Sequence, residues 1–154
     1  MNIAIGSDHG GWALKEKVKE YLRKEGLQTK DFGTGNSDSC DYPDFGLPVS
    51  EAVARGEKDR GIVICTTGIG MSITANKVPG IRAALCNDAE TARLSREHNN
   101  ANVLVLSAKA LEGKKLKDIL NVWLKTDFSS EERHIRRLKK VKQIEEKYSS
   151  SGLG

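Results

Sequence analysis

The sequence predicts an α/β fold: a five-stranded parallel sheet with helices on both faces, forming a three-layer α/β/α sandwich, plus one added C-terminal helix. Three observations point there. Short apolar, β-branched runs alternate along the chain with longer stretches of helical period, the pattern of βαβ units. The central run, Gly61-Ile-Val-Ile-Cys65, shows no polar alternation, as expected of a strand buried on both faces. It breaks into a glycine turn, Thr66-Thr-Gly-Ile-Gly70, and then into a helical stretch from Met71 to Lys77.

The elements follow in order. Asn2–Gly6 reads as the first strand, and Gly11–Glu25 as a helix with Leu14, Val18, Tyr21 and Leu22 on one face, stopped by Gly26. Gln28–Phe32 is a weaker strand, and residues 33–43 are loop by composition. Asp44–Arg55 is a helix that tolerates Pro48 because it falls early. After the strand Gly61–Cys65 and its short helix, Pro79-Gly80 is a break, Ile81–Cys86 a fourth strand, and Ala89–His98 a helix capped at Asn87-Asp88. Val103–Leu106 is the fifth strand. Ala108–Lys125 is helical with a break at Gly113. Ser129-Ser-Glu-Glu132 is a capping-box pattern opening a last helix to Tyr148, with Ile135, Leu138, Val141 and Ile144 as one apolar stripe. Residues 1–148 are expected to form one domain, and 149–154 a disordered tail with nothing to pack.

Composition narrows the function classes. Three cysteines, Cys40, Cys65 and Cys86, are odd in number and widely spaced, which argues against a disulfide framework or a zinc site and favours a reducing cytoplasm. No apolar stretch approaches the roughly 20 residues of a membrane helix, and the N-terminus has no export signal, so no membrane association is expected. The net charge of +4 is concentrated in Arg133-His-Ile-Arg-Arg-Leu-Lys-Lys140. Without aromatic interleaving or a recognition motif, this run reads as a solvated helix face rather than a nucleic-acid contact. Arg136, Lys139 and Lys140 belong to that face. Arg133 and Arg137, at i and i+4, share another and suit a phosphate dianion.

In Rossmann-like sheets, ligands collect at the carboxyl ends of the strands near a topological switch point. Polar groups lie where that rule expects them: Ser7-Asp8-His9-Gly-Gly11 after the first strand, Cys65–Gly70 after the third, and Glu97-His98-Asn99-Asn100 at the end of the helix after the fourth. A strand-end cysteine alone is more often a packed small hydrophobe. Here glycines and a helix N-terminus follow Cys65, and their positive potential favours a thiolate. Cys86 lacks that setting and reads as core, and Cys40 as incidental. Asp8 has a plain rival role as a helix cap, His98 as a favourable charge at a helix C-terminus, and Thr67 as a partner for loop backbone. A nucleotide-binding module is the alternative of another class, with Gly68 and Gly70 in the turn and Asp88 on a ribose hydroxyl. Ile73 at the third glycine position leaves that fingerprint incomplete. No Gly-Lys-Ser/Thr follows the glycines, so a phosphate loop of the NTPase type is absent.

The ordered set Gly6-Ser-Asp-His-Gly-Gly11, Asp41-Tyr-Pro43, Cys65-Thr-Thr-Gly-Ile-Gly70, Ala75-Asn-Lys77, Gly80-Ile-Arg82, Ser95-Arg-Glu-His-Asn99 and Asn102-Val resembles the type B ribose-5-phosphate isomerase family, which includes the galactose-6-phosphate isomerase subunits. The resemblance runs nearly the whole chain. It implies a cofactor-free and metal-free aldose–ketose isomerase of the pentose phosphate pathway, acting on ribose 5-phosphate, with a hexose 6-phosphate (allose or galactose) as the alternative substrate. It implies a dimer or tetramer whose sites are shared between subunits. By the same likeness Cys65 is the base, Asp8 binds hydroxyls and shuttles a proton, and Thr67 and His98 assist ring opening. Asn99 and the N–H groups of Thr66, Gly68, Ile69 and Gly70 hold the enediolate, and His9, Arg133 and Arg137 bind phosphate. His98 and Asn99 would come from the partner subunit. Three positions depart from the family pattern: Thr66 where glycine or serine is common, Met71 where one branch carries glutamate, and Lys109 where arginine is common. Lys109 is still expected to meet phosphate, without the planar fork.

Overall fold

The computed structural model describes residues 1–149. Five parallel strands, β1 (Asn2–Ser7), β2 (Gln28–Asp31), β3 (Arg60–Cys65), β4 (Ala83–Leu85) and β5 (Val103–Ser107), stand in the order β2-β1-β3-β5-β4. Six helices accompany them: α1 (Trp12–Lys24), α2 (Pro43–Ala54), α3 (Ile69–Ala75), α4 (Ala89–Glu97), α5 (Gly113–Lys125) and α6 (Glu132–Ser149). Of the expected tail, Ser149 closes α6, and the remainder lies outside the described residues.

Strand periodicity divides the core into two. Ile3, Ile5, Ile62, Ile64, Leu104 and Leu106 face Leu14, Val18 and Leu22 of α1 and Leu116, Ile119, Leu120 and Trp123 of α5. The alternate residues Ala4, Val63, Cys65, Val103 and Val105 face Val49, Ala52 and Val53 of α2 and Met71 and Ala75 of α3. Each fully buried aliphatic side chain contributes about 1.5–3 kcal/mol, so the three central strands hold the molecule together.

Three boundaries differ from the sequence expectation for local reasons. α3 begins two residues early, at Ile69, because Gly68 adopts φ 79° and serves as its N-cap. β4 is shorter than Ile81–Cys86 because the Asn102 side chain takes the Arg82 N–H at 2.8 Å in place of a ladder partner. α5 starts only at Gly113, where the expected break falls.

Buried polar groups anchor the loops that matter later. Lys15, only 1% exposed, donates from Nζ to both Asp31 oxygens at 2.9 and 2.7 Å and to the Thr34 carbonyl at 2.7 Å. This ties α1 to the start of the loop that leads to Tyr42. Arg60 donates to the Trp123 and Leu124 carbonyls at 2.7 and 3.1 Å, closing the C-terminal end of α5.

The topology sets two ends apart. From β1 the chain goes outward to β2 and then returns to β3 on the other side of β1. The loops after β1 and β3 therefore diverge and open a crevice at the carboxyl end of the sheet. α4 runs back from the end of β4, so residues 98–102 lie at the amino end, where Asn102 leads into β5 and its carbonyl accepts the Gly61 N–H at 2.9 Å. At about 3.3 Å per residue, the strands separate the two ends by roughly 15–20 Å. α6 carries the expected stripe, but Ile135, Val141 and Ile144 are half or more exposed. A groove of about 750 Å³ lies between Leu138, Val141, Ile144 and Tyr148 of α6 and Ile81, Ala83 and Ala84 at the β4 edge.

Candidate active site

Cys65 is the last residue of β3, and its sulfur accepts the Gly68 N–H at 3.2 Å. It is 5% exposed, beneath the loop rather than at its mouth, while Thr66 and Thr67 are exposed. The loop is held from the β5 side. Ala108 and Lys109 N–H groups donate to the Cys65 and Thr66 carbonyls, each at 3.0 Å, and the Ser107 hydroxyl also donates to Thr66 O at 3.0 Å. With those carbonyls turned toward β5, loop N–H groups are left over. Gly68 N–H goes to the sulfur and Ile69 N–H to Thr67 Oγ1 at 3.3 Å, so two of the expected donors are engaged within the loop. The N–H groups of Thr67, Gly70 and Met71 make no hydrogen bond among the described residues. Met71 was expected only as a departure from the family pattern; its backbone N–H adds a donor that its side chain gives no hint of.

The loop after β1 meets this one directly. A Cβ on Gly10 would lie 2.1 Å from Thr66 Oγ1, so any side chain there would push the Thr66 hydroxyl aside. Asp8 is buried and its Oδ1 accepts the Gly11 N–H at 3.0 Å. That bond closes the turn before α1 and is not a helix cap, since the N-cap is Gly11 and no side chain caps it, and Oδ2 makes no hydrogen bond among the described residues. His9 Nδ1 accepts the Cys40 N–H at 3.2 Å, so Nε2 carries the proton when the ring is neutral. Cys40 is thus a support for His9 rather than incidental. A Cβ on Gly70 would meet the Tyr42 ring at 2.8–3.0 Å, which puts that aromatic face against the loop. Tyr42 was legible only as part of Asp41-Tyr-Pro43, without a role. The structure therefore brings Asp8, His9, Cys65, Thr66, Thr67, Gly68, Ile69, Gly70 and the Lys109 backbone to one end.

It does not bring His98, Asn99, Arg133 and Arg137 there. The expectation that the residues after α4 cluster at the carboxyl ends of the strands is wrong for this fold, because α4 returns to the amino end. There the His98 and His134 rings pack with centroids 4.3 Å apart, tilted by 38°. His134 is 2% exposed, and its Nδ1 is 2.7 Å from Ser129 Oγ. The Ser129 N–H donates to the Glu97 carbonyl at 3.0 Å, fastening the pair to the end of α4. Arg133 pairs with Glu131 at 2.9 Å, and Arg137 stands exposed one turn on. Among the described residues no hydrogen bond, ion pair or ring contact joins the two clusters.

His134 was missed because its sequence neighbours are basic. The available signal was its spacing from Leu138 and Val141, i+4 and i+7 on one helix face. Burial, then the neighbouring His98, Arg133 and Arg137, hold its pKa below the ordinary 6.5, with Glu131 opposing. Below pH 6.5 the unfolded chain binds a proton that the folded chain refuses, so this contribution to stability is complete above 6.5 and is lost as pH falls through the window down to the lowered value. Thermal unfolding should show the midpoint dropping on acidification below pH 6.5, and dropping less in His134→Phe. An equal pH slope in both proteins would contradict this.

Two other expectations resolve on geometry. Asp88 caps α4, its Oδ1 accepting the Thr91 N–H at 2.7 Å and the Thr91 hydroxyl at 2.9 Å, so the carboxylate expected on a nucleotide ribose is already engaged. Cys86 is core, 1% exposed, with its thiol pushed up to about 11 by burial. Among the described residues no group of three or more His, Cys, Asp or Glu side chains could hold a metal ion, and no helix is long and apolar enough to cross a membrane.

Comparison with known proteins agrees with this geometry. Residues 3–141 match the Ribose/Galactose Isomerase family. The ribose-5-phosphate isomerase B of Clostridium thermocellum superposes with a TM-score of 0.94 at 54% identity, covering 96% of this chain and 99% of that one. Ribose-5-phosphate isomerase B of Escherichia coli is 41% identical over 145 residues, 94% of this chain and 97% of its own. D-erythrulose-4-phosphate isomerase of Pectobacterium atrosepticum is 40% identical over 131 residues, 83% of this chain and 85% of its own. With the match running through both clusters and the sheet between them, the chain belongs to the ribose/galactose isomerase family.

Proposed function

We propose that the chain interconverts ribose 5-phosphate and ribulose 5-phosphate through an enediolate, with Cys65 as the base. The observation that carries this reading is the Cys65 sulfur, hydrogen-bonded to a glycine-loop N–H at 3.2 Å, at the β1/β3 switch point beside Asp8 and unpaired loop N–H groups. An N–H aimed at sulfur serves an anionic sulfur better than a thiol.

In the aldose-to-ketose direction, the sulfur takes the proton from C2 of the open-chain sugar. The C–H electron pair forms the C1–C2 double bond, and the carbonyl electrons move onto O1. The free N–H groups of Thr67, Gly70 and Met71 are the donors for that oxyanion. A proton then passes from O2 to O1, with Asp8 as the shuttle. The sulfur returns its proton to C1, leaving the ketone at C2. Thr67 and His98 assist opening of the furanose, and Asn99 supports the enediolate. His9 and Lys109 meet the phosphate from one chain, and Arg133 and Arg137 from a second copy. Binding the remote phosphate fixes the reacting carbons against the sulfur.

A homo-oligomer with shared sites is the reading that lets two separated clusters serve one reaction, and the exposed apolar stripe of α6 supports it. The reaction itself needs no metal or organic cofactor. A reducing, cytoplasmic setting suits three free cysteines.

A coupled assay comparing ribose 5-phosphate with allose 6-phosphate tests the substrate. The pentose should be preferred, and a large preference for the hexose would reverse the assignment. If Arg137 binds phosphate equally in the ground and transition states, Arg137→Ala should raise KM more than it lowers kcat. An unchanged KM would remove that role.

A further inference from the structure

The structure assigns to His134 the task of holding the His98 ring in its working orientation, a positioning role that acts through His98. This rests on the reading of His98 as the group that assists ring opening. His98 sits at the C-cap of α4, where its backbone N–H is spent on the Leu94 carbonyl at 2.9 Å. Neither of its ring nitrogens meets a hydrogen-bond partner among the described residues. The imidazole is therefore free to address a substrate, but no hydrogen bond sets its rotamer. What it does have is the face of His134 at 4.3 Å.

His134 is itself immobilised. It is 2% exposed, its Nδ1 is bonded to Ser129, and Ser129 is bonded both to the Glu97 carbonyl and, through its hydroxyl oxygen, to the Glu131 N–H at 3.3 Å. The chain of contacts thus runs from the last turn of α4 through Ser129 and His134 back to the side chain at the end of that same turn. A closed circuit of this kind can orient a ring that has no anchor of its own, and a misplacement of about 1 Å in such a group costs up to about 100-fold in rate. The charged groups that act on the pair are Arg133, Arg137 and Glu131, from α6 and the segment before it, on His134, and Glu90 of α4 on His98. A second charge on His134 would confront these cations, which suits it to a neutral packing role.

The test separates ring opening from proton transfer. Ribulose 5-phosphate carries its phosphate on the oxygen that would close a furanose, so it is acyclic, and exchange of its C1 hydrogen with D2O requires the enediolate but no ring opening. In His134→Ala, turnover of ribose 5-phosphate should fall about 10- to 100-fold, with the exchange measured by NMR within about threefold of the parent enzyme. His134→Phe, which restores an aromatic face, should recover most of the turnover. Ser129→Ala, which leaves the ring but removes its anchor, should show a smaller selective loss and serves if the alanine variant at 134 fails to fold. Loss of turnover and exchange in step in the folded variants, or no loss of either, would overturn the assignment. A parent enzyme that neither turns over ribose 5-phosphate nor exchanges ribulose 5-phosphate would instead remove the reading on which the assignment rests.

Discussion

Cys65→Ala should lose isomerase turnover by about 10²–10⁴-fold in kcat while remaining folded. The size follows from the reaction: one group removes a carbon-bound proton and returns it to the neighbouring carbon, and nothing else in the crevice is placed to take over. Asp8 is partly committed to the Gly11 N–H, His9 accepts from Cys40, and Met71 offers only a backbone N–H. The fold should tolerate the change because the sulfur is small. It packs among Met71 and Val105 and accepts one N–H, so its removal costs about 1–2 kcal/mol, of which the freed Gly68 N–H accounts for about half. Cys65→Ser should also be inactive, since a serine hydroxyl does not ionise at neutral pH, and it keeps a hydrogen-bond acceptor for Gly68. Circular dichroism and thermal unfolding check the fold, and a coupled assay checks turnover. Undiminished turnover in either variant would remove Cys65 as the base. The 5% exposure of Cys65 sharpens the issue, because the substrate must reach van der Waals contact with the sulfur of a buried residue.

The sheet and its helices were legible because hydrophobic period and glycine placement are local properties. Cys65, Asp8 and His9 were legible because strand ends in a parallel sheet define where ligands collect. What escaped was set by tertiary approach. The fit of Gly10 against Thr66 and of Gly70 against Tyr42 depends on loops distant in sequence, and nothing in either glycine distinguishes it from a turn residue. The Cys40 amide that orients His9 leaves no side-chain signature. His134 was hidden among the five arginines and lysines of its run, although its helical spacing from Leu138 pointed inward. The placement of His98 failed for a topological reason: a helix that follows a strand carries its own C-terminus back to the opposite end of the sheet.

That topology yields the second large effect. Cys65 and His98 lie at opposite ends of strands five and six residues long, and among the described residues no hydrogen bond, ion pair or ring contact joins their clusters. If both serve one reaction, each site takes Cys65 from one copy and His98 from another. Cys65→Ala and His98→Ala should then each be inactive alone, and active when co-expressed. In a mixed dimer one site carries both substitutions and the other carries neither. Random assembly makes about half of the dimers mixed, so about a quarter of the parent activity should return. A site contained within one chain gives no such recovery, since every site in the mixture would hold one defective residue. Lack of recovery in a demonstrated mixed oligomer would therefore exclude sharing, and with it the roles given to His98, Asn99, Arg133 and Arg137, while leaving the Cys65 crevice intact. Adding the substitution Arg137→Ala supplies an internal control. Placed on the Cys65→Ala chain it should raise the KM of the recovered activity, because that chain supplies the amino-end cluster of the one intact site. Placed on the His98→Ala chain it should fall in the site already broken and change nothing.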